Sequence, residues 1–434
     1  MHLRQSVDNL TGNAIQQLSG VLVFLIVPAV LGVEEYGQAV FVVTLWSFQT
    51  FSDLGFSHVY SRRMPAFHEK GDRARIAVWD ATILKWRLAG AAIFGVCAAI
   101  GYIAKYGHPL LGVFVAGVAV FSTVFQFCIA QATVKGAFRE VRDLNLAQAA
   151  VRLLMIPCVL LWSLPGWFIG QLVAAAQALA GGIVRQRLFG IISARPGFDW
   201  RLIRENFGAA LLLGMITGLW GQSLSVARLV ASFRYPDAAI ATYGLVSAGY
   251  QIVIMTFLSI YAPISIRTYA IYEKDPAEAI RYVTERNRFV VPAFLAIAAV
   301  SILAGPPLLR WCFPAYALDN RIVLPFLMSL LHVPAIIMFG SLLISAGKFK
   351  GYLTAVSAGL LFSVLVAVAA ESRLGTSAAA VAQFVGLGAL VVLLYLVANS
   401  GMPVSGQSRW RLAMLTLFSV AAVTVWATIS LYSA

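Results

Sequence analysis

Two charges stand inside otherwise apolar runs, and each has chemistry open to it. Arg228 follows Gly214, Thr217, Gly221 and Ser225 at steps of three, four, four and three, which makes one small, polar helical face. Its planar guanidinium suits phosphate oxygens, while a base near the outer end of a span can also snorkel to the interface. Asp53 lies fifteen residues into the apolar run 38–60, roughly 22 Å along a helix axis. It can hold a coupling cation or a proton, or lock a turn or a neighbouring base. Amides form the third group. Asn9, Asn13, Gln16 and Gly20 recur at steps of four, three and four with Gln17 beside them, and Gln49, Thr50 and Gln251 extend the polar surface. An amide donates and accepts, so this face suits a polyhydroxylated ligand or hydrogen bonds between helices. His332 can titrate, with a hydrogen-bonded core role as its alternative.

The elements that must position these groups are membrane helices. The chain has 434 residues, is 60% hydrophobic and 12% charged, and has a mean hydropathy of +0.83. Soluble domains carry about 25% charged residues, so this surface is too poor in charge to face water. Apolar runs near the length of a membrane helix recur throughout, and the alternation of an outer-membrane barrel is absent. The expected fold is an all-α polytopic transmembrane bundle of about 13 spans, 12 of them core. They fall near 12–31, 38–60, 86–104, 109–132, 147–164, 166–184, 208–230, 241–264, 289–305, 322–346, 352–370, 376–397 and 411–432. The N-terminus reads as a retained first helix rather than a signal peptide.

Lys and Arg set the orientation. With the N-terminus cytoplasmic, 26 of the 32 bases fall inside, including Arg62, Arg63 and Arg87, 5 fall outside, and Arg228 alone lies within a span. The net charge of +14 is thus accounted for by insertion and anionic lipid, and no nucleic-acid partner is expected. The loop LGVEEYG (31–37) then becomes an outer hairpin, with Glu34 and Glu35 facing solvent and Tyr36 at the headgroup level.

The two halves repeat. Tyr36-Gly37 pairs with Tyr243-Gly244 at an offset of 207, and FHEKGDRARIAVW (67–79) pairs with IYEKDPAEAIRYV (271–283) at 204. Asp275-Pro276 has the form of a helix cap and first turn. Six spans per half make a parallel repeat. The expected domains are a six-helix lobe over 1–206, a second over 207–400 around a central cavity, and an additional C-terminal helix over 401–434.

LGVEEYG, SDLGFSHVYSRR (52–63) and LLRWCFPAYA (308–317) resemble the polysaccharide-biosynthesis flippases of the Wzx type, in the superfamily that also holds the MATE exporters and the lipid II flippases. Members have twelve or fourteen spans, so thirteen marks an incomplete final pair or a misjudged span. The resemblance implies alternating-access transfer of a polyprenyl-diphosphate-linked oligosaccharide from the cytoplasmic to the outer leaflet, for surface polysaccharide such as O-antigen. The protein would sit in the inner membrane, its N-terminus cytoplasmic and its C-terminus periplasmic or extracellular. Its partners would be the lipid-linked oligosaccharide, membrane lipids, and polysaccharide polymerase and assembly proteins. Within that picture Asn9, Asn13, Gln16, Gln49 and Gln251 meet sugar, Arg228 meets diphosphate or an acidic sugar, Arg62 and Arg63 gather the headgroup, and Asp53 is the coupling-ion candidate. The rivals are a multidrug or cation exporter of the same superfamily and a non-transport polysaccharide-assembly protein.

Catalysis is not expected. No GxxxxGK[ST], HExxH or GxSxG occurs. The four cysteines are far apart in apolar runs without a CxxC or Cys/His cluster, so they read as buried structural thiols, with no metal and no cofactor.

Overall fold

A computed structural model describes residues 2–181, 191, 197–272, 274–401 and seven positions between 413 and 424. The chain divides into two compact units, 1–218 and 219–434. Every described element is helical, as the hydropathy requires. Unit 1 holds α1 (His2–Ser47), a single 3₁₀ turn (Phe48–Phe51), α2 (Phe56–Glu69), α3 (Arg73–Tyr106), α4 (Pro109–Val134), α5 (Phe138–Leu153), α6 (Met155–Ala180) and most of α7 (Trp200–Ser223). Unit 2 holds α8 (Val226–Arg234), α9 (Asp237–Tyr272), α10 (Pro276–Cys312), α11 (Asn320–Met328), α12 (Val333–Ser345), α13 (Phe349–Leu374) and α14 (Ala378–Gly401).

Nine helical stretches among the described residues are long and apolar enough to cross a membrane. Three of them each run over a pair of expected spans: Leu18–Phe51, which breaks at Gly32 (φ 73°), Met155–Gln177, which breaks at Ser163, and Phe349–Ser400, which comprises α13 and α14. Exposure fits a lipid surround. On α10, Leu303 is 78% and Trp311 80% exposed, whereas α12 is buried almost throughout. Apolar side chains this bare belong against hydrocarbon. Cys128 is buried but Cys97 is exposed beside Ile93, Val96 and Ile100, so the expectation of buried thiols fails at that position.

Helix ends account for several shifted boundaries. Asp72 accepts from Arg75 N and starts α3 thirteen residues before the expected span. Asp275 accepts from Ala277 N and Glu278 N at 2.8 and 3.1 Å, with Pro276 in the first turn, and starts α10 early in the same way. Both members of the second repeat pair therefore begin a long helix with an aspartate cap. The expected span 208–230 ends instead at Ser223, and a new helix begins at Val226. The fifth and sixth spans meet inside α6, where Ser163 (φ 50°, ψ −128°) breaks the helix before Pro165. There the chain doubles back, with Gly166 against the Cys158 backbone and Gly170 against Met155. The expected span at 411–432 lies largely outside the described residues.

LGVEEYG is tied into that reversal. Ser163 Oγ donates to Glu35 Oε2, so the break at Ser163 is pinned to the loop after Gly32. Glu34 is exposed as expected, but Glu35 is half-buried and Tyr36 is buried. The hairpin acid is a bonding partner, and the tyrosine is core.

One close approach sets the interior of unit 1. Gly55 has φ 83°, and a Cβ there would lie 2.0 Å from Ala210 O and 2.5 Å from Gly214 N. Gly55→Ala should therefore lower stability by at least about 3 kcal/mol. Gly101→Ala, in open space on α3, should raise it by about 0.5–1 kcal/mol. Thermal unfolding followed by tryptophan fluorescence in detergent separates the two, and equal midpoints would refute the close approach.

Candidate functional site

The segment SDLG (52–55) cannot continue a helix. Leu54 (φ 51°) and Gly55 (φ 83°) take left-handed conformations, and the chain breaks between the 3₁₀ turn and α2. Gly90, the eighteenth residue of α3, marks the depth of this break. A Cβ on Gly90 would meet Ser52 O at 2.0 Å, so the break faces α3 roughly 25 Å from its start. It therefore lies near the middle of that helix.

Asp53 organises the break. Its carboxylate accepts from Gly55 N at 2.8 Å, from Ser57 N at 3.2 Å and from Ser57 Oγ, which caps the start of α2. Its carbonyl accepts from Trp86 Nε1 at 3.1 Å. Arg87 approaches the same carboxylate, Nε to Oδ2 at 3.5 Å, an ion-pair distance rather than a good hydrogen bond. Both side chains are buried, at 6% exposure for Arg87 and 11% for Asp53. Arg87 also donates to Gln126 Oε1 at 3.3 Å. The turn-and-ion-pair alternative for Asp53 is thus realised in geometry. Arg87 was expected at the cytoplasmic flank. It lies instead inside α3, so Arg228 is not the one base within a span.

These residues line a cavity of about 270 Å³ within unit 1. Its wall is hydroxyl and amide: Gln49, Thr50, Ser52, Thr123, Gln126 and Thr217, with His58 beside the Asp53–Arg87 pair. Below it Asp80, 4% exposed, accepts from Tyr60 OH at 2.5 Å and Gln131 Nε2 at 2.6 Å. An apolar core of Phe56, Met64, Ile83, Phe127 and Ile203 packs around that pair. Asp80 and Arg87 were both missed. They lie two turns apart on one face of α3, and the signal was the Asp72 cap, which starts the helix early enough to carry both inward.

The other expected site residues fall in separate places. Gln49 lines the cavity, but its Nε2 donates to Ala119 O and Thr123 Oγ1, both at 2.7 Å, so its amide is largely bound to α4. Gln16 donates to Gln148 Oε1 across to α5, the interhelical alternative. Asn9 and Asn13 lie on the backbone of α1, and their side chains are outside the described residues. Arg62 and Arg63 are exposed on α2. Gln251 is half-buried on α9, and Arg228 half-buried on α8. The Gly214-to-Arg228 face is interrupted, because Ser225 (φ −133°) is not helical. Nearby, Ala227 N donates to the fully buried Gln383 Oε1 at 3.0 Å. His332 is fully buried with its ring 5.1 Å from Phe384.

No protein-family model and no curated protein matches the chain. Solved structures do. The lipid II flippase MurJ in an inward closed conformation shares 11% identity, with 99% of each chain covered and a TM-score of 0.66. VcmN, a MATE transporter of Vibrio cholerae, shares 16% over 92% of this chain and 95% of that one, at 0.58. DinF-BH, a MATE multidrug transporter, shares 18% over 91% and 95%, also at 0.58. The fold is like that of these transporters. At these identities the likeness fixes the fold of this multi-pass membrane protein and leaves its function open.

Because the Asp53–Arg87 pair is buried, removing one partner strands the other. Asp53→Asn or Arg87→Met alone should cost about 3–5 kcal/mol. The double variant Asp53→Asn/Arg87→Met should recover much of that loss. Urea or thermal unfolding of the four proteins in detergent provides the cycle, and strictly additive losses would rule out the coupling.

Proposed function

We propose that the protein flips a polyprenyl-diphosphate-linked oligosaccharide from the cytoplasmic to the outer leaflet by alternating access, for surface polysaccharide assembly. One observation carries the reading: a hydroxyl- and amide-lined cavity with a buried guanidinium inside an otherwise apolar helical unit. Such a wall matches sugar hydroxyls, which donate and accept, and Arg87 matches a phosphate. The whole-chain likeness to a structure described as a lipid II flippase supports the same class of cargo. Thr50, Thr123 and Gln126 would meet sugar. Arg228 would contact the diphosphate or an acidic sugar in transit, and Arg62 and Arg63 would gather the head at the cytoplasmic mouth. The inside-negative potential favours outward movement of an anion by about 2.3 kcal/mol per charge for each 100 mV, a drive independent of nucleotide hydrolysis.

A second reading, export of a drug or organic cation, is favoured by Asp53 in the cavity and by the similar MATE structures. It is opposed by Arg87, which already neutralises that carboxylate.

Deleting the gene should leave lipid-linked intermediates in the inner leaflet. Unchanged intermediates with altered drug sensitivity would select the exporter instead. In the intact strain Thr50→Val/Thr217→Val keeps shape but removes two cavity hydroxyls, and should slow surface polysaccharide formation roughly ten-fold at normal protein level. Arg228→Ala should also reduce surface polysaccharide, and a normal amount at normal protein level would remove Arg228 from the substrate path.

A further inference from the structure

We infer that unit 1 carries a second, interfacial site that holds the phosphate head of an anionic membrane lipid. It is a cavity of about 590 Å³ separate from the one around Asp53, with Arg63, Arg75 and Arg201 in its lining. Phe67, Trp79 and Leu202 supply an apolar wall, the two rings 6.2 Å apart. It shares Arg63 with the cytoplasmic mouth proposed for the cargo, and the test below uses a membrane lipid with no cargo present.

Charge is the first ground. Asp199 and Glu205 also line the cavity, but both are committed. Asp199 Oδ1 accepts from Arg201 N at 2.9 Å and Leu202 N at 3.2 Å, capping α7. Glu205 accepts from Arg201 Nε at 2.7 Å. Asp72 holds Arg75 through Nε at 3.2 Å, with that guanidinium 5.8 Å from the Phe67 ring centroid. Arg201 and Arg75 are thus each paired with an acid through Nε. Among the described residues no acid pairs with Arg63 at all. A phosphodiester would answer the three guanidiniums that line this one cavity, since its oxygens accept from their planar forks.

Position is the second ground, and it selects a lipid over a soluble phosphate. Trp79 lies in the second turn of α3 and Leu202 in the first turn of α7, two helices long and apolar enough to cross a membrane. The cavity therefore opens where two spans begin. Phe198 and Trp200 flank Asp199 with their rings 6.0 Å apart, 40% and 61% exposed. Exposed aromatics at that level seat in the headgroup layer. A lipid whose phosphate meets the arginines would lay its glycerol and upper acyl carbons along Phe67, Trp79 and Leu202.

The full chain, reconstituted in phosphatidylcholine vesicles with a trace of phosphatidylglycerol bearing an upper-chain diazirine, provides the test. After irradiation, mass spectrometry reads labelling of the segments 63–79 and 198–206, with the lipid-facing surface around Leu303 as an internal reference. The triple variant R63Q/R75Q/R201Q should lose labelling of these segments about five-fold while the reference holds. Because that variant breaks the Asp72–Arg75 and Arg201–Glu205 pairs, Arg63→Gln alone, at an exposed position, should lower labelling about two-fold with an unchanged unfolding midpoint. The site is overturned by undiminished labelling in both variants, or by equal labelling from a phosphatidylcholine probe. Displacement by inorganic phosphate alone would assign the cavity to a soluble anion and overturn the lipid.

Discussion

A helix broken at membrane depth leaves backbone groups that no water can satisfy, and unit 1 is built around meeting that constraint. The break at Ser52–Gly55 survives because Asp53 takes two backbone N–H groups, Trp86 covers its carbonyl, and α3 and α7 come close enough to exclude lipid. Glycine makes the approach possible. Gly90 admits the Ser52 carbonyl against α3, and Gly55 and Gly214 admit two backbones into contact. Replacing any of the three by a larger residue would push lipid-exposed backbone into hydrocarbon. The cavity follows from the same requirement, since the break leaves room that only polar groups can line without further cost.

The internal repeat shows what is shared and what is particular to one half. Both halves start a long helix from an aspartate, Asp72 before α3 and Asp275 before α10. Both bury the tyrosine of a Tyr-Gly pair, and Tyr243 donates its hydroxyl to Thr376 O at 2.6 Å. They diverge at the second span. In unit 2 the corresponding α9 continues from Asp237 to Tyr272 through Pro263 without a break. Tyr243, Tyr250, Phe257 and Tyr261 fill its inner face instead. A packed aromatic stripe in one half stands where the other half has a polar break, so the two units are alike in scaffold and unlike in chemistry.

How far this was legible in the sequence depended on whether a signal was local. Composition and run length establish helices in lipid, and the cap at Asp275 is visible as Asp-Pro. Asp53 stood out because a carboxylate in an apolar run is rare. Arg87 did not, because it sits one residue inside the expected edge of a span, where a base reads as a topology anchor. The Asp72 cap moves the helix start back thirteen residues and carries both Asp80 and Arg87 inward, a consequence hydropathy alone does not express. Glu35 is the converse: its loop was recognised, but its partner Ser163 lies 128 residues away, and no local pattern announces such a pairing. The face from Gly214 to Arg228 had the right period yet failed at Ser225, because three-and-four spacing persists in sequence even where the backbone leaves the helix.

The Asp53–Arg87 pair also bears on which cargo the cavity favours. A cation entering it would have to displace a buried guanidinium from a carboxylate already accepting from Gly55 and Ser57, which would strand Arg87 without its counter-charge. An anion entering would compete for Arg87 instead. Asp53 would then keep its backbone and hydroxyl donors, so the cap of α2 would remain while the guanidinium changed partners. Either ligand adds a like charge beside a buried one, and the difference between them lies in the donors from Gly55 and Ser57 that Asp53 keeps while Arg87 has only Gln126 besides. Those donors hold Asp53 in the break, so of the pair the arginine is the group that an anionic ligand would engage.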